Sequence, residues 1–519
     1  MSDAFEKRIK KHIIGKTHRF LAVVPLGFEQ TLINELKFIG IETSDALNPP
    51  HVTGDGKVEF TAKITEAWKA VAFSRLANRV LMHITDFKAE NFRELEKKAS
   101  EIPWELFLDD NHLRRESRPT ELGMTEPNGW ELSEAKVQRR ETKDERYLSS
   151  NSINIHVTCK HSRLYHSDAI AERLYKIIEG VRVPLAPADT ASATPSAGTP
   201  HNAPPQNENR GTPQNLYVNF LDDRCTIWLD LAGEELYKRG HERYVNDAPL
   251  KETIAAAMLF EAIKAASLTT NHLLVTNNSE LVTTSYCLPP TSYCLLDLMS
   301  GSGTFSLEAA YIANKHIPGK CRDFALKHQP AFKEATWNFI IKSEVGSRKS
   351  EGNAFATIAK IVTSDISERA IAIIKHNVEC SPLASTSPNG DKPTINPQLK
   401  DFFSYTAKEI ADTSKEASPI IVLNPPYGKR LDFDAPKLYI KIGRKLTELA
   451  HDLKQFNKTL TVAILAPKDD SREGSKYTCT SNLLRECAAL SPEHNSAAKI
   501  IATSHGGFSL NVFIAQLNY

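Results

Sequence analysis

Asn424-Pro425-Pro426-Tyr427 follows directly on an apolar run at 420–423. Neither proline can donate to a β-ladder, so a buried strand has to end there and pass into a stiff corner. That corner carries one carboxamide and one aromatic ring. On these residues alone an ordinary strand-ending turn and a functional corner are both open. A second stretch, 294–313, reads as strand, glycine turn and helix, with Asp297 at the strand end and Gly301 and Gly303 in the turn. Glycines there let the backbone turn tightly and approach a ligand closely. The turn is not a dinucleotide fingerprint, because Ser306 stands where a third glycine is needed. It is not a P-loop either, because Gly-Lys-Ser/Thr is absent. Asp365 ends the next apolar segment, where a carboxylate can accept both hydroxyls of a ribose. Asp401 and Phe402 follow, an acceptor for an exocyclic amine and an apolar face for an adenine ring. Each has a plainer alternative: Asp365 as a helix N-cap, Asp401 as a solvated turn residue. Three acids at successive strand ends beside a glycine turn fit a nucleoside-binding crevice better than any one of them does alone.

These residues need a scaffold. From about residue 250, helical segments alternate with apolar strands at 293–299, 359–366, 420–424, 461–467 and 513–519. That order indicates a mostly parallel α/β sheet. The N-terminal part is α+β. Residues 19–41 read as strand, turn and helix, with Leu32, Leu36 and Ile39 on one face. Phe60 ends a strand, and Trp68, Ala72, Arg75 and Leu76 recur at helical spacing. Segment 216–233 alternates as strands do. Residues 184–214 are rich in proline and poor in apolar residues, so they cannot offset their ordering entropy and read as disordered. Further exposed excursions are expected at 109–146, 344–352 and 381–398.

Bulk properties exclude more than they establish. A chain of 519 residues is long enough for two or three domains. Its net charge of +1 carries no global nucleic-acid signal, so any basic surface must be local. No apolar run is long enough to span a bilayer, and the charged N-terminus is not a signal peptide. The eight cysteines include no CxxC pair, which argues for free thiols in a reducing cytoplasm and against a zinc ribbon. No metal ligand set is visible, and none is expected.

The order of glycine turn, Asp365, Asp401-Phe402 and Asn424-Pro425-Pro426-Tyr427 resembles the S-adenosylmethionine-dependent amino-methyltransferases of the Rossmann-like class. The stretches 159–174 and 229–259, with His161-Ser162-Arg163-Leu164-Tyr165-His166 and Lys238-Arg239-Gly240, resemble more narrowly the bacterial large-subunit ribosomal RNA guanine-N2 methyltransferases. The resemblance implies a ferredoxin-like segment at 18–82, a THUMP RNA-binding domain at 83–232 and a methyltransferase domain at 245–519. The disordered stretches near 109–146 and 184–214 become insertions in the THUMP region. It implies S-adenosylmethionine as cofactor, held by Asp297, Gly301, Gly303, Asp365, Asp401 and Phe402. Asn424 and the Pro425 carbonyl would accept the hydrogens of a guanine N2 amine, and Tyr427 would stack on the extruded base. Arg163, Lys238, Arg239 and Arg243 become candidate phosphate contacts, although each alone reads as ordinary surface. The glycine turn departs from the family's Asp-Pro-Met-Cys-Gly-Ser-Gly at two positions, and His505-Gly506 replaces its Asn-Gly. Some relatives fuse a second methyltransferase beyond this point, which is not expected here. Two other readings remain open: a tRNA guanine-N2 methyltransferase and a catalytically silent RNA-binding assembly factor. A DNA adenine methyltransferase is disfavoured, since nothing resembles a DNA target-recognition domain. A fragment starting near Pro249 is expected to fold and bind cofactor.

Overall fold

The computed structural model describes residues 3–41, 49–108, 153–180, 212–245, 249–268, 292–350, 357–384, 393–427, 434–469 and 478–517. The excursion expected at 109–146 lies outside them, as do 184–211 of the proline-rich stretch, 385–392 of the third and 351–352 of the fourth. Three of those boundaries move inward. A helix runs Glu334–Ser350, and Gln214 and Pro397 both begin strands. The chain divides into two compact units, one of 1–16, 81–234 and 324–333, the other of 17–80, 235–323 and 334–519.

The smaller unit contains an antiparallel pair, β4 (Arg79–Lys88) with β7 (Arg224–Asp230), extended by β6 (Gln214–Leu221) and β5 (Ile153–Lys160). β5 and β6 are parallel, which requires a crossover, and the helix Ser167–Gly180 lies between them in sequence. Residues 181–211 therefore interrupt a connection inside one unit. Leu95, Ala99, Ile170, Leu174 and Ile178 fill a core with Leu216, Val218 and Ile227. Asp222 and Asp223 take positive φ between β6 and β7, a two-residue hairpin turn that acidic residues tolerate.

In the larger unit, β2 (His51–Gly54), β3 (Lys57–Lys63) and β1 (Thr17–Val23) form antiparallel pairs in the order β2-β3-β1. Phe20 lies opposite Phe60 and stacks on it at 5.4 Å. The helices Glu29–Phe38 and Ile64–Phe73 bury Leu32, Leu36 and Trp68, each contributing about 1.5–3 kcal/mol. The second helix stops at Phe73, earlier than its spacing suggested. Glu35 explains this: its carboxylate accepts hydrogens from Ser74 Oγ (2.6 Å), Arg75 N (2.7 Å) and Leu76 N (3.3 Å). The chain turns there, and Arg75 points away from the helix stripe.

The second sheet of this unit runs β10-β9-β8-β11-β12-β14-β13. β8 (Ser292–Asp297), β9 (Thr357–Asp365), β10 (Pro397–Leu399), β11 (Ser418–Leu423) and β12 (Leu460–Pro467) are parallel. β14 (Phe508–Leu517) is antiparallel to both β12 and β13 (Lys499–His505). Alternate residues face opposite sides. Leu296, Ile421, Leu423, Val462 and Ile464 face the helices Ala407–Ser414 and Ala435–Leu453. The helix Glu252–Leu268 is apolar nearly all round and packs on β11, β12 and β14. No described helix is long and apolar enough to cross a membrane.

Candidate active site at the carboxyl edge of the parallel sheet

Four adjacent strands release their chains at one edge. In sheet order β10, β9, β8 and β11 lead to Asp401, Asp365, the glycine turn and Asn424. Register keeps them level: Leu399 lies opposite Asp365, and Asp297 opposite both Thr363 and Val422. Three strand spacings make this row roughly 14 Å long. The chain leaves β8 toward β9 on one side, and β11 lies on the other, so the row crosses the point where strand order reverses, the usual ligand crevice of such sheets.

The turn is built by glycines and braced from below. Gly301 and Gly303 have φ of +55° and +78°, which side-chain-bearing residues rarely adopt. A Cβ on Gly301 would meet open space, whereas one on Gly303 would press on Ile374 at 3.1 Å. Gly303 is thus required for packing, and Gly301 leaves room for something outside the protein. Asp365 Oδ2 accepts from Gly301 N (2.8 Å) and Oδ1 from Ser367 N (2.9 Å). A carboxylate has about four acceptor positions, so two remain for a ligand. The helix after β9 is capped by Ser367, not by Asp365.

Asp297 does not reach the crevice. It is fully buried, and its Oδ2 accepts from Ser306 N (3.1 Å) and Ser306 Oγ (2.7 Å), pinning the first turn of the helix Thr304–Ala313. Burial pushes its carboxyl up to about 7, against the lowering effect of those bonds. Its expected place as a ligand contact becomes that of a brace. Phe402 also changes: it is 1 % exposed, packed in the core with Tyr405 and Ile410, and cannot offer a face to a ring. Ile366, directly after Asp365, is instead the large apolar residue exposed at this edge, at 72 %. Its signal in the sequence was a large apolar residue one step beyond a strand-end acid. Asp401 caps a short turn through Phe403 N (3.0 Å), its plainer reading, while remaining half-buried at the row's end.

At the other end, Asn424 Oδ1 is shielded from water and accepts no hydrogen bond from the described residues. Leaving an acceptor so costs about 1–3 kcal/mol. Pro425 is buried and Pro426 exposed, as a rigid corner emerging from β11 requires. Tyr427 meets Phe508 edge-on, with centroids 5.9 Å apart at 76°. Phe508 was not foreseen. It sits opposite His505 across a turn whose two residues, Gly506 and Gly507, both have positive φ, the geometry favoured by right-twisted hairpins. His505 Nε2 lies 2.8 Å from the Pro249 carbonyl, and burial lowers its pKa.

Of the candidate phosphate contacts Lys238, Arg239 and Arg243, the two arginines point inward. Arg239 is 6 % exposed. Its Nε donates to Glu308 Oε1 (2.9 Å), Nη1 to the Leu236 carbonyl (3.0 Å) and Nη2 to the Arg75 carbonyl (2.9 Å) and Glu308 Oε2 (3.2 Å). Arg75 Nη1 shares Glu308 Oε2 at 3.4 Å. Arg243 pairs with Glu252, donates to Thr304 Oγ1 and reaches Ser302 Oγ at 3.3 Å, so it supports the glycine turn. Burial lowers its pKa to about 10. Neither arginine can reach a phosphate outside the protein. Lys238 is exposed, and so is Arg163, although Arg163 pairs with Glu90 and Asp223. Gly240 has a packing reason: at φ +85° a Cβ would lie 2.5 Å from the Cys321 carbonyl oxygen.

Comparison with known proteins agrees with this architecture. Residues 289–462 match the family model described as RMKL-like, methyltransferase domain, and residues 19–81 the RlmL ferredoxin-like domain. The chain is 24 % identical over 438 residues to a ribosomal RNA large subunit methyltransferase K/L of Allochromatium vinosum, covering 83 % of this chain and 46 % of that protein. It is 25 % identical over 417 residues to the putative RNA methyltransferase YpsC of Bacillus subtilis, covering 80 % of each. The chain thus spans under half the length of the K/L relatives it matches. Among solved structures, a possible methylase from Clostridium difficile 630 superposes with a TM-score of 0.60 at 18 % identity, over 97 % of this chain and 99 % of that one. SMU.472, a putative methyltransferase complexed with SAH, gives 0.59 at 19 %, with the same coverage. Residues 19–81 are thus similar to an RlmL-type ferredoxin-like domain and residues 289–462 to an RMKL-like methyltransferase domain, and the chain shares its fold with the possible methylase from Clostridium difficile 630.

Proposed function

We propose that this chain transfers a methyl group from S-adenosylmethionine to the exocyclic N2 amine of a guanine in large-subunit ribosomal RNA, in the cytoplasm. The observation that carries the reading is the buried Asn424 Oδ1, unpartnered among the described residues, at the end of β11 beside β8 and its glycine turn. The crevice suits the cofactor. Gly301 leaves open space, Asp365 keeps acceptor capacity for two ribose hydroxyls, and Ile366 gives the adenine an apolar face. Bound there, the cofactor supplies an electrophilic methyl group. The K/L relatives, ribosomal RNA large subunit methyltransferases, and the SAH in SMU.472 support the substrate class and the cofactor.

The residues would act on the amine. An exocyclic amine is a poor nucleophile because its lone pair is delocalised into the ring. Asn424 Oδ1 and the Pro425 carbonyl accept its two hydrogens, which holds the lone pair on nitrogen and out of the ring plane. The nitrogen sheds one proton to solvent after gaining its methyl group. The two prolines fix this geometry beforehand, so little entropy is lost on reaching it. Tyr427, buttressed by Phe508, stacks on the extruded base. Residues 83–232 act as the THUMP module, with Arg163 and Lys238 as outward cations.

Single-turnover methyl transfer to unmodified large-subunit RNA tests this. Asn424→Ala should be slower by roughly 10²–10³, by analogy with losing one donor at an oxyanion site, with cofactor affinity kept. Tyr427→Ala should weaken the productive RNA complex by about 1–3 kcal/mol, and Tyr427→Phe far less. A wild-type rate in folded Asn424→Ala would reject the amine mechanism. Mass spectrometry of the methylated base identifies the ring atom, and a methyl group on adenine would reject the guanine assignment.

A further inference from the structure

The strap 239–244 turns its side chains inward at Arg239, His241 and Arg243. Glu242, between two anchored neighbours, is exposed. It faces the end of the helix Glu368–Glu379, where His376 and the capping residue Cys380 stand four apart, hence on one face. His376 Nε2 lies 3.5 Å from Cys380 Sγ, and the three donor atoms of Glu242, His376 and Cys380 fall within 4.8 Å of one another. The arrangement is held in place. Tyr244 N donates to Asn377 Oδ1 (2.8 Å), and Asn377 Nδ2 donates to the carbonyls of Tyr244 (2.9 Å) and Ser302 (3.1 Å). The Tyr244 ring stacks on the His376 imidazole at 3.8 Å and 13°, leaving the ring edge and Nε2 free to ligate.

We propose that Glu242, His376 and Cys380 bind a divalent transition metal of the zinc class, with water in the fourth position. Carboxylate, imidazole and thiolate together form a zinc donor set, and the thiolate disfavours magnesium and calcium. Zinc–ligand distances of about 2.0–2.3 Å place tetrahedral donors about 3.4–3.8 Å apart. The His376–Cys380 pair already has that separation, and Glu242 closes it by rotating its side chain. Metal here would tie the strap to the helix. It would also stiffen the glycine turn through Asn377, which touches Ser302. The sequence hid the site because Glu242 lies far upstream of the His-x-x-x-Cys pair.

The test uses the full chain, stripped with chelator and titrated with Co²⁺, then competed with Zn²⁺. One equivalent should give a thiolate-to-cobalt charge-transfer band that Zn²⁺ abolishes, and Zn²⁺ should raise the melting temperature. Cys380→Ser should lose the band, and His376→Ala should weaken binding. Cys321→Ser, at the other exposed described cysteine, should keep both responses. A band that survives in Cys380→Ser, or no binding by the wild-type chain, would overturn the assignment. Circular dichroism confirms that each variant is folded.

Discussion

Two polar regions of the larger unit invite comparison. Within the strap 236–245, Arg239 has a partner for each guanidinium nitrogen, and Glu308 is shared with Arg75. At the carboxyl edge of the sheet, Asn424 Oδ1 is just as shielded from water and has no partner among the described residues. Buried polar groups are normally satisfied, so the two regions answer different demands. The strap spends its charge on holding three segments together. The end of β11 leaves an acceptor bare, a cost that a fold does not bear without another use for it.

The largest effect expected from that contrast is in the strap. Arg239→Ala strips Glu308, fully buried, of two of its three hydrogen bonds. Breaking a buried pair costs roughly 3–5 kcal/mol, here toward the lower end because Arg75 remains. Urea unfolding should show that loss, while methyl transfer per folded molecule stays near wild type. A stable but inactive variant would move Arg239 to the catalytic side of the comparison. The same argument revises the fragment beginning at Pro249. It would lack Arg75 and Arg239, and with them the three hydrogen bonds that they give Glu308, so it should be markedly less stable than the whole chain.

Asp297 sharpens the other side. Its folded pKa is raised from 3.8 to about 7 by burial. The native state therefore holds the proton more tightly than the unfolded chain does. Stability from this group is full below the unfolded value and is lost as pH rises toward about 7. Asp297→Asn removes that dependence while its carboxamide oxygen can still accept from Ser306. Between about pH 5 and pH 8 the wild type should lose roughly 2–3 kcal/mol relative to the variant, at about 1.4 kcal/mol per unit. Urea midpoints at the two pH values measure it. A constant gap would mean that Asp297 is ionised throughout and solvated from the crevice.

Asp365 differs from its neighbour in keeping acceptor capacity at the surface. Asp365→Ala should weaken cofactor binding by about 1.5–3 kcal/mol, the range for hydrogen bonds to a charged group. Calorimetry on the folded variant reads it directly. Unchanged affinity would leave Asp365 as a support for Gly301 and Ser367 alone.

What could be read in the sequence divides along similar lines. Strand periodicity and the glycine turn located β8, β9, β11, β12 and β14, because fully apolar runs bounded by Gly, Pro or Asp have few other uses. β13 escaped because only Ile501 and Thr503 are buried, so it resembles an exposed linker. β10 escaped because three residues carry no periodicity. Asp365 and Asn424 stood out as polar residues ending apolar runs. Phe402 was misassigned because its type suits both a core and a ring platform, and only burial separates the two. Arg239 and Arg243 were misassigned for the matching reason: their partners Glu308, Thr304 and Glu252 lie elsewhere in the chain, and charge alone does not say which way a side chain points.

The smallest expected effect tests the strap's outer face. Lys238, beside the inward Arg239, is exposed. If it neutralises one RNA phosphate, Lys238→Ala should lower the slope of log affinity against log salt by about 0.7–0.9, one released counterion. Arg163→Ala tests the second outward cation, from whose guanidinium a phosphate would first have to displace Glu90 and Asp223. Arg239→Ala, in the folded fraction, should leave the slope alone, since its charge is already matched by Glu308. Filter binding of the full chain at several salt concentrations ranks the three. Should Arg239→Ala change the slope while Lys238→Ala does not, the strap would have to open on binding RNA. The contrast between a satisfied strap and a waiting strand edge would then hold only for the free protein.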